Sequence, residues 1–263
     1  MRIQDAPVFI ISRDRVTPLQ HLVSWLEAAG QERIVIVDNA STYPPLLEYL
    51  ETTHHIVERL GRNLGSRACI YQSGLLEKHL RGASFYLVSD ADVVPDPSSP
   101  LDAVEYFAWA LQRYPRYVKA GFGLRLDDVP DLYPHKRQVV AWERQFWTRP
   151  LGKDLYAADI ATTFALHRSH VQSFVFGPSI RTGPPYLARH MPWYSTVSTP
   201  EDVYYHDHID HKKSHWTEPD AGLNADLAPP RLTVAARLRW RAYALLKEER
   251  GGDVPRHFPG DGG

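Results

Sequence analysis

The sequence predicts an α/β protein: a mostly parallel sheet flanked by helices, followed by a less regular second half. Two observations carry this. Short apolar runs alternate with helical patterns over residues 1–97, as βαβ units with right-handed crossovers require. Polar clusters then fall at the ends of three of those runs, namely Ser12-Arg13-Asp14, Asp38-Asn39 and Asp90-Ala91-Asp92. Open parallel sheets bind their ligands beyond the carboxyl ends of the strands.

The elements follow in order. Val8 to Ile11 is a β-rich run after Pro7. A helix opens at Thr17 as N-cap with Pro18 at its first position, carries Leu19, Leu22, Val23 and Leu26 on one face, and stops at Gly30. Arg33 to Val37 is the second strand, Pro44 to Glu51 a short helix, and Ile56 to Leu60 the third strand. Asn63-Leu64-Gly65 is a turn that leads into a helix through Leu80, and Phe85 to Ser89 is the fourth strand. Beyond it, Leu101 to Tyr114 and Val139 to Phe146 are expected as helices, and Tyr117 to Leu126 and Tyr156 to His167 as strands. Phe176 to Thr199 shows no period and is expected to be a long functional loop. Pro200 to Ile209 is a helix, residues 231–250 form a terminal helix, and residues 251–263 a flexible tail. Residues 1–250 are expected to be a single domain, with a ligand-binding half at 1–97 and a second half at 98–230.

Composition narrows the function classes. The chain has 263 residues, 43% hydrophobic and 23% charged, as in an ordinary globular protein. Its 30 basic and 31 acidic residues argue against a nucleic-acid partner. The single cysteine, Cys69, excludes an intramolecular disulfide. No apolar run approaches the ~20 residues of a membrane span, and the apolar start is too short for a signal peptide. A cytoplasmic location is expected.

The most informative chemistry is Asp90-Ala91-Asp92. Carboxylates are disfavoured in a core unless paired or metal-bound, and Mg²⁺-type cations take one or two carboxylates plus substrate phosphates. The plain alternative is a solvated turn, since Pro95-Asp96-Pro97 follows.

Together these pieces resemble the nucleotide-sugar-binding half of GT-A-fold glycosyltransferases, especially the family-2 type. The resemblance rests on Val8-Phe9-Ile10-Ile11, on Val35-Ile36-Val37-Asp38-Asn39-Ala40-Ser41-Thr42, on Arg62-Asn63-Leu64-Gly65-Ser66-Arg67 and on Leu87-Val88-Ser89-Asp90-Ala91-Asp92. It fades after Pro97. It implies a Rossmann-like sheet, a UDP- or GDP-linked sugar donor, a saccharide or other hydroxyl acceptor, and Mn²⁺ or Mg²⁺. It places Asp38 at the base or ribose, Asp92 and less directly Asp90 at the metal, and Ser12, Asn39, Asn63 and Ala91 around the nucleotide. Arg13 and Arg67 are phosphate or ribose partners, because a guanidinium fork matches phosphate oxygens.

The acceptor half carries further candidates. An inverting transfer needs a base, and Asp202 in Thr199-Pro200-Glu201-Asp202 fits that place; the competing reading is a plain helix start. Asp159 lies in an otherwise small and apolar stretch and is a second catalytic candidate. His206, His208, His211 and His215 crowd together. A late histidine completes the metal shell in many such enzymes, and His215 is the first choice here; a zinc site is the rival. Tyr186, Arg189, His190, Trp193 and Tyr194 are expected to form an aromatic acceptor-facing lid, since rings stack on sugar faces. The basic, amphipathic 231–250 helix either covers the domain edge or makes a peripheral membrane contact. Two other functions compete. One is a haloacid-dehalogenase-type phosphatase with Asp90 as nucleophile and Asp92 as acid/base. The other is a non-catalytic nucleotide-sugar-binding module.

Overall fold

A computed structural model of the chain describes residues 2–65, 70–71, 73–160, 164–171, 177–195 and 199–208. All of them lie in one unit, Met1–Thr217. Arg67, His211, His215, the 231–250 helix and the 251–263 tail fall outside the described residues.

The strands are β1 (Val8–Ser12), β2 (Ile34–Asp38), β3 (Ile56–Arg59), β4 (Phe85–Asp90), β5 (Val93–Pro95), β6 (Lys119–Leu124), β7 (Pro150–Gly152), β8 (Leu155–Ala157), β9 (Ala165–Arg168) and β10 (Ser179–His190). The helices are α1 (Thr17–Ala28), α2 (Pro44–Thr52), α3 (Leu75–Leu80), α4 (Ala103–Arg113), α5 (Lys136–Arg144) and α6 (Pro200–His208). All ten strands join one sheet in the order β3-β2-β1-β4-β9-β6-β10-β8-β7, with β5 pairing β10. Neighbours β3, β2, β1 and β4 are parallel, as are β6 and β10. Strands β5, β8 and β9 run against them. The expected architecture, a mostly parallel sheet flanked by helices, is what the chain adopts.

Strands β1 and β2 are buried along their whole length, so both faces must be apolar. Alternate side chains serve two cores. Val8, Ile10, Ile34, Ile36 and Leu87 meet α1 and α4, whereas Phe9, Ile11, Val35, Val37, Tyr86 and Val88 meet Leu75, Leu76 and Leu80 of α3. Phe107 of α4 packs edge-on against Phe122 of β6 at 4.9 Å, and Phe122 against Phe164 at 5.0 Å. Helix α1 buries the expected Leu19, Leu22, Val23 and Leu26, and Pro18 with them. It ends where Gly30 takes φ +75°. There the Gly30 amide donates to Glu27 and the Gln31 amide to Leu26, the Schellman pattern that only a left-handed residue permits.

Several expectations need correction. Thr17 is not the N-cap of α1. The helix begins at Thr17, and no side chain of Val16 caps it. Tyr156 to His167 is not one strand but parts of β8 and β9. The described part of the expected loop over Phe176 to Thr199 is dominated by a strand, β10. Its register with β6 jumps from Thr182 opposite Phe122 to Leu187 opposite Gly123. The four skipped residues, Gly183-Pro184-Pro185-Tyr186, bulge out around a cis Pro184–Pro185 bond. Proline has no N–H for a ladder, so the pair must leave the sheet, and its departure hides the strand's period. The three-residue strands β5 and β7 carry too few residues to show any period.

Gly121 of β6 sits where a Cβ would overlap the Phe164 carbonyl oxygen and the Ala165 backbone. Gly121→Ala must therefore push β9 away from β6. It is expected to lower unfolding stability by about 2 kcal/mol, measured by denaturant titration, with the native circular dichroism retained.

Candidate functional site

The carboxyl ends of β2, β1 and β4 lie side by side. Ser12 pairs in register with Asp38, and Ile11 with Asp90. Asp38, Ser12 and Asp90 therefore share one edge of the sheet. Ser12 and Asp38 are buried, and the Ser12 hydroxyl is buried without a hydrogen-bond partner. The loops beyond are fixed by their own carboxylates and amides. Asp14, buried at φ +51°, accepts the Thr42 and Tyr43 amides at 2.6 and 2.9 Å. Asp38 accepts the Ser41 amide at 2.9 Å. Asn39 donates to the Asn63 side-chain oxygen at 3.0 Å and accepts the Leu64 amide at 2.8 Å. Asn39 and Asn63 thus tie the loops after β2 and β3 together, which is the work such short amides do well in turns.

Asp90-Ala91-Asp92 leaves the sheet at this edge. The buried Ala91 donates its amide to Ile11 at 2.9 Å, while Asp90 and Asp92 stay half-buried. Strand β5 then pairs with the end of β10, setting Val93 opposite His190. The Met191 amide donates to the Asp92 carbonyl at 2.8 Å. His190 consequently lies beside Asp92, with Nε2 3.7 Å from Oδ2. Its ring leans on the fully buried Trp193, centroids 5.0 Å apart. Burial depresses the His190 pKa, with Asp92 pulling it back up and Arg15 pushing it down further. The imidazole is neutral near pH 7 and keeps a lone pair for a metal. Its Nδ1 is buried and has no hydrogen-bond partner. An oxygen and a nitrogen 3.7 Å apart can both reach one cation, whose bonds run about 2.1 Å. The residues present therefore fit a divalent ion between Asp92 and His190.

Helix α6 covers the β1–α1 loop. Thr199 and Asp202 form a reciprocal capping box: the Asp202 amide donates to the Thr199 hydroxyl at 3.1 Å, and the Thr199 amide to Asp202 Oδ2 at 3.1 Å. Asp202 Oδ1 takes Arg15 at 3.0 Å, with both side chains under a tenth exposed. Both carboxylate oxygens of Asp202 are thus engaged. Burial alone would raise the Asp202 pKa, but the Thr199 hydroxyl and amide and the Arg15 guanidinium outweigh it and hold it below the ordinary value. Glu201, one residue earlier, accepts the Thr17 amide at 3.2 Å and so supplies the cap that α1 lacks. Arg13 reaches the His208 carbonyl at 3.2 Å, and Tyr204 packs at a tilt against Tyr43, centroids 4.9 Å apart. Tyr205 lies under the Arg15 guanidinium at 4.1 Å, close enough to Asp92 to feel its charge.

The remaining predicted residues divide. Arg189 pairs with Asp96 at 2.9 Å and Asp128 at 2.5 Å. Tyr194 donates to Asp128 at 2.7 Å. Both are committed to a salt-bridge cluster that also holds Arg125. Tyr186 stacks on Tyr106 of α4 at 4.3 Å and donates to Asp102. The five residues expected to form one lid thus serve three places, and of them His190 and Trp193 stand at Asp92. Asp159 is half-buried, with its carbonyl accepting Arg181 at 2.7 Å. Burial pushes its carboxyl up, against the pull of Lys119, Arg181 and Arg149. Arg181 in turn pairs with Glu143 of α5 at 2.6 Å, both buried, and Glu143 acts electrostatically on His190. Sequence reasoning missed Arg15, Tyr205, Glu143 and Arg181. Only Glu143 left a trace there, as an acid on the apolar stripe of α5.

Comparison with known proteins adds the following. Neither a scan against protein-family profiles nor a search of curated proteins finds a match. Solved structures that superpose on this chain include TarS 1–349 of S. aureus, at 11% identity and TM-score 0.45 over 90% of this chain and 77% of that one. HddC from Yersinia pseudotuberculosis does so at 14% identity and TM-score 0.43 over 76% and 96%. A UDP-glucose pyrophosphorylase complexed with UDP-glucose does so at 9% identity and TM-score 0.46 over 77% and 99%. The chemistry of the site rests on its own residues.

The buried Arg15–Asp202 pair has a pH signature. Because the folded carboxyl lies below its ordinary value of 3.8, the pair's contribution is complete above the unfolded pKa and is lost as pH falls through the folded one. Asp202→Asn is expected to destabilise the chain by about 3 kcal/mol at pH 7, and the gap from wild type should close progressively below about pH 4. Thermal melts of both proteins across that range check it.

Proposed function

We propose that the chain is a metal-dependent glycosyltransferase that moves a sugar from a nucleoside-diphosphate donor to a hydroxyl acceptor. One observation carries this reading: Asp38, Asp90 and Asp92 meet at one sheet edge, with the neutral His190 beside Asp92. Such an edge suits a nucleotide on one side and a cation-bound diphosphate on the other. Asp38 would hold the ribose or base, above a floor set by Ser12 and the Asn39–Asn63 tie. Asp92 and His190 would hold Mn²⁺ or Mg²⁺, with Asp90 at the same sheet edge beside the nucleotide. The bound ion would supply Lewis-acid neutralisation of the departing diphosphate. Among the described residues His190 is the histidine assigned to the metal shell; His215 lies outside them.

The two candidate bases are unequal. Asp202 is clamped by Arg15 and Thr199, and a carboxylate with a lowered pKa accepts protons poorly; it positions Arg15 and the loop. Asp159 is pushed in the direction that proton abstraction needs. Its carboxyl lies among Lys119, Arg181 and Arg149, and its carbonyl accepts Arg181, whose partner Glu143 acts electrostatically on His190. We assign the base role to Asp159 and the positioning of that corner to the Arg181–Glu143 pair. A single displacement by the acceptor hydroxyl, with the base taking its proton, would invert the anomeric centre.

The test is donor turnover with a panel of UDP- and GDP-sugars, with and without Mn²⁺. Asp92→Ala should lower metal-dependent turnover by roughly 100-fold or more, and His190→Ala should raise the Mn²⁺ concentration needed for half-maximal rate. Full activity of Asp92→Ala at saturating donor would overturn the metal assignment. Hydrolysis of phosphate monoesters in place of sugar transfer would favour the phosphatase reading. Asp159→Asn should lower kcat while nucleotide affinity is retained.

A further inference from the structure

The opposite end of β2 carries a second set of donors that the proposed transfer does not use. Glu27 lies in the last turn of α1, and His54 and His55 in the link between α2 and β3. Their ligand atoms lie within 4.8 Å of one another. His55 Nε2 is 3.1 Å and His54 Nε2 3.5 Å from the same Glu27 oxygen, Oε1. The two rings are tilted by 42° to one another, centroids 4.1 Å apart. The three residues line a cleft of about 510 Å³ with Gly30, Gln31 and Ile56. Gln31 is only 4% exposed, and neither its amide oxygen nor its amide nitrogen has a hydrogen-bond partner. A buried amide without partners, on the wall of a cleft that gathers two imidazoles and a carboxylate, points to something that fills the cleft and bonds to it.

We propose that Glu27, His54 and His55 bind a transition-metal cation of the Zn²⁺ type. Imidazole nitrogen suits Zn²⁺, Ni²⁺ and Cu²⁺, whereas Mg²⁺ and Ca²⁺ prefer oxygen alone. Two histidines and one carboxylate are a known three-ligand set for zinc, and they leave a fourth position for water. The Gln31 amide is placed to bond to that water or to the Glu27 carboxylate. The carbonyl end of α1 adds a favourable field for a cation. Nearby charges do not compete. Arg33 turns its guanidinium to the Asp5 and His79 carbonyls, and Glu32 pairs with Arg2. The ion would staple the end of α1 to the α2–β3 link. The four steps of β2 from Ile34 to Asp38 separate it from the nucleotide edge by about 13 Å, so the two metal sites are independent.

Isothermal titration of the full chain with ZnCl₂ tests this, together with the melting temperature on adding Zn²⁺. Asp92→Ala, which removes the other candidate metal site, is expected to keep one Zn²⁺ equivalent and, like wild type, to melt higher with Zn²⁺. His54→Ala/His55→Ala should lose that equivalent or bind it at least tenfold more weakly. Glu27→Gln should weaken it while leaving the metal-free melting temperature nearly unchanged, because Glu27 is exposed; it serves as the test if the double variant fails to fold. Zn²⁺ stoichiometry and affinity unchanged in His54→Ala/His55→Ala and in Glu27→Gln, or no binding by wild type, would overturn the proposal.

Discussion

The hydrogen-bond register that aligns β2, β1 and β4 governs everything at the site. Ser12 faces Asp38 and Ile11 faces Asp90 because the strands are locked by what lies below them. Val8, Ile10, Ile34 and Ile36 must enter one core, while Phe9, Ile11, Val35 and Val37 enter the other. A slip of one residue would exchange the faces of a whole strand. With large side chains on both faces, no shifted pairing packs well. The carboxylates are therefore placed by apolar packing several residues away. They are tolerated only because they stand at the strand ends, where the sheet gives way to loops.

A second constraint joins distant parts of the chain. Arg15 and Asp202 are separated by 187 residues, yet their ion pair, with the Glu201 cap on Thr17, seats α6 on the β1–α1 loop. That loop follows Ser12 and carries Arg13. The proposed nucleotide floor is complete only when this last described helix docks. Few apolar side chains hold α6. Its buried residues are Glu201 and Asp202, and Val203 is exposed. A helix held mainly by polar contacts belongs to the low-stability end of a fold. It can part from the loop at less cost than a core strand can leave the sheet.

The fold was legible where one residue type sufficed to mark an element. Pro18 and Gly30 bracket α1, and unbroken apolar runs mark β1, β2 and β4. The candidate site was legible to the same depth. Asp38, Asp90 and Asp92 are strand-end residues of strands that could be read. His190 was visible only as part of an aromatic stretch, because its role depends on β5 pairing with β10. Neither three residues of β5 nor a strand interrupted by Pro184-Pro185 shows an alternating pattern. Arg15 was not legible at all, since nothing local distinguishes it from Arg13. Asp202 shows the converse. Its capping-box spacing was plain in Thr199-Pro200-Glu201-Asp202, and that plain reading describes what its carboxylate does.

Charge balance at the edge explains why the proposed transfer needs a cation. Asp38, Asp90 and Asp92 are carboxylates near one edge, where a diphosphate would add negative charge. The loop nearby offers two guanidiniums, but each is already committed. Arg13 lies 3.5 Å from the buried Asp14 and donates to His208, and Arg15 is paired with Asp202 in a nearly solvent-free contact. Freeing Arg15 would leave a buried carboxylate uncompensated, which costs several kcal/mol. The loop's own cations therefore cannot turn to a phosphate cheaply. His190 adds no positive charge, because burial keeps it neutral. A divalent ion held by Asp92 and His190 would meet the deficit of the proposed site without breaking any of these pairs. The acidic edge would then accept a diphosphate that it otherwise repels.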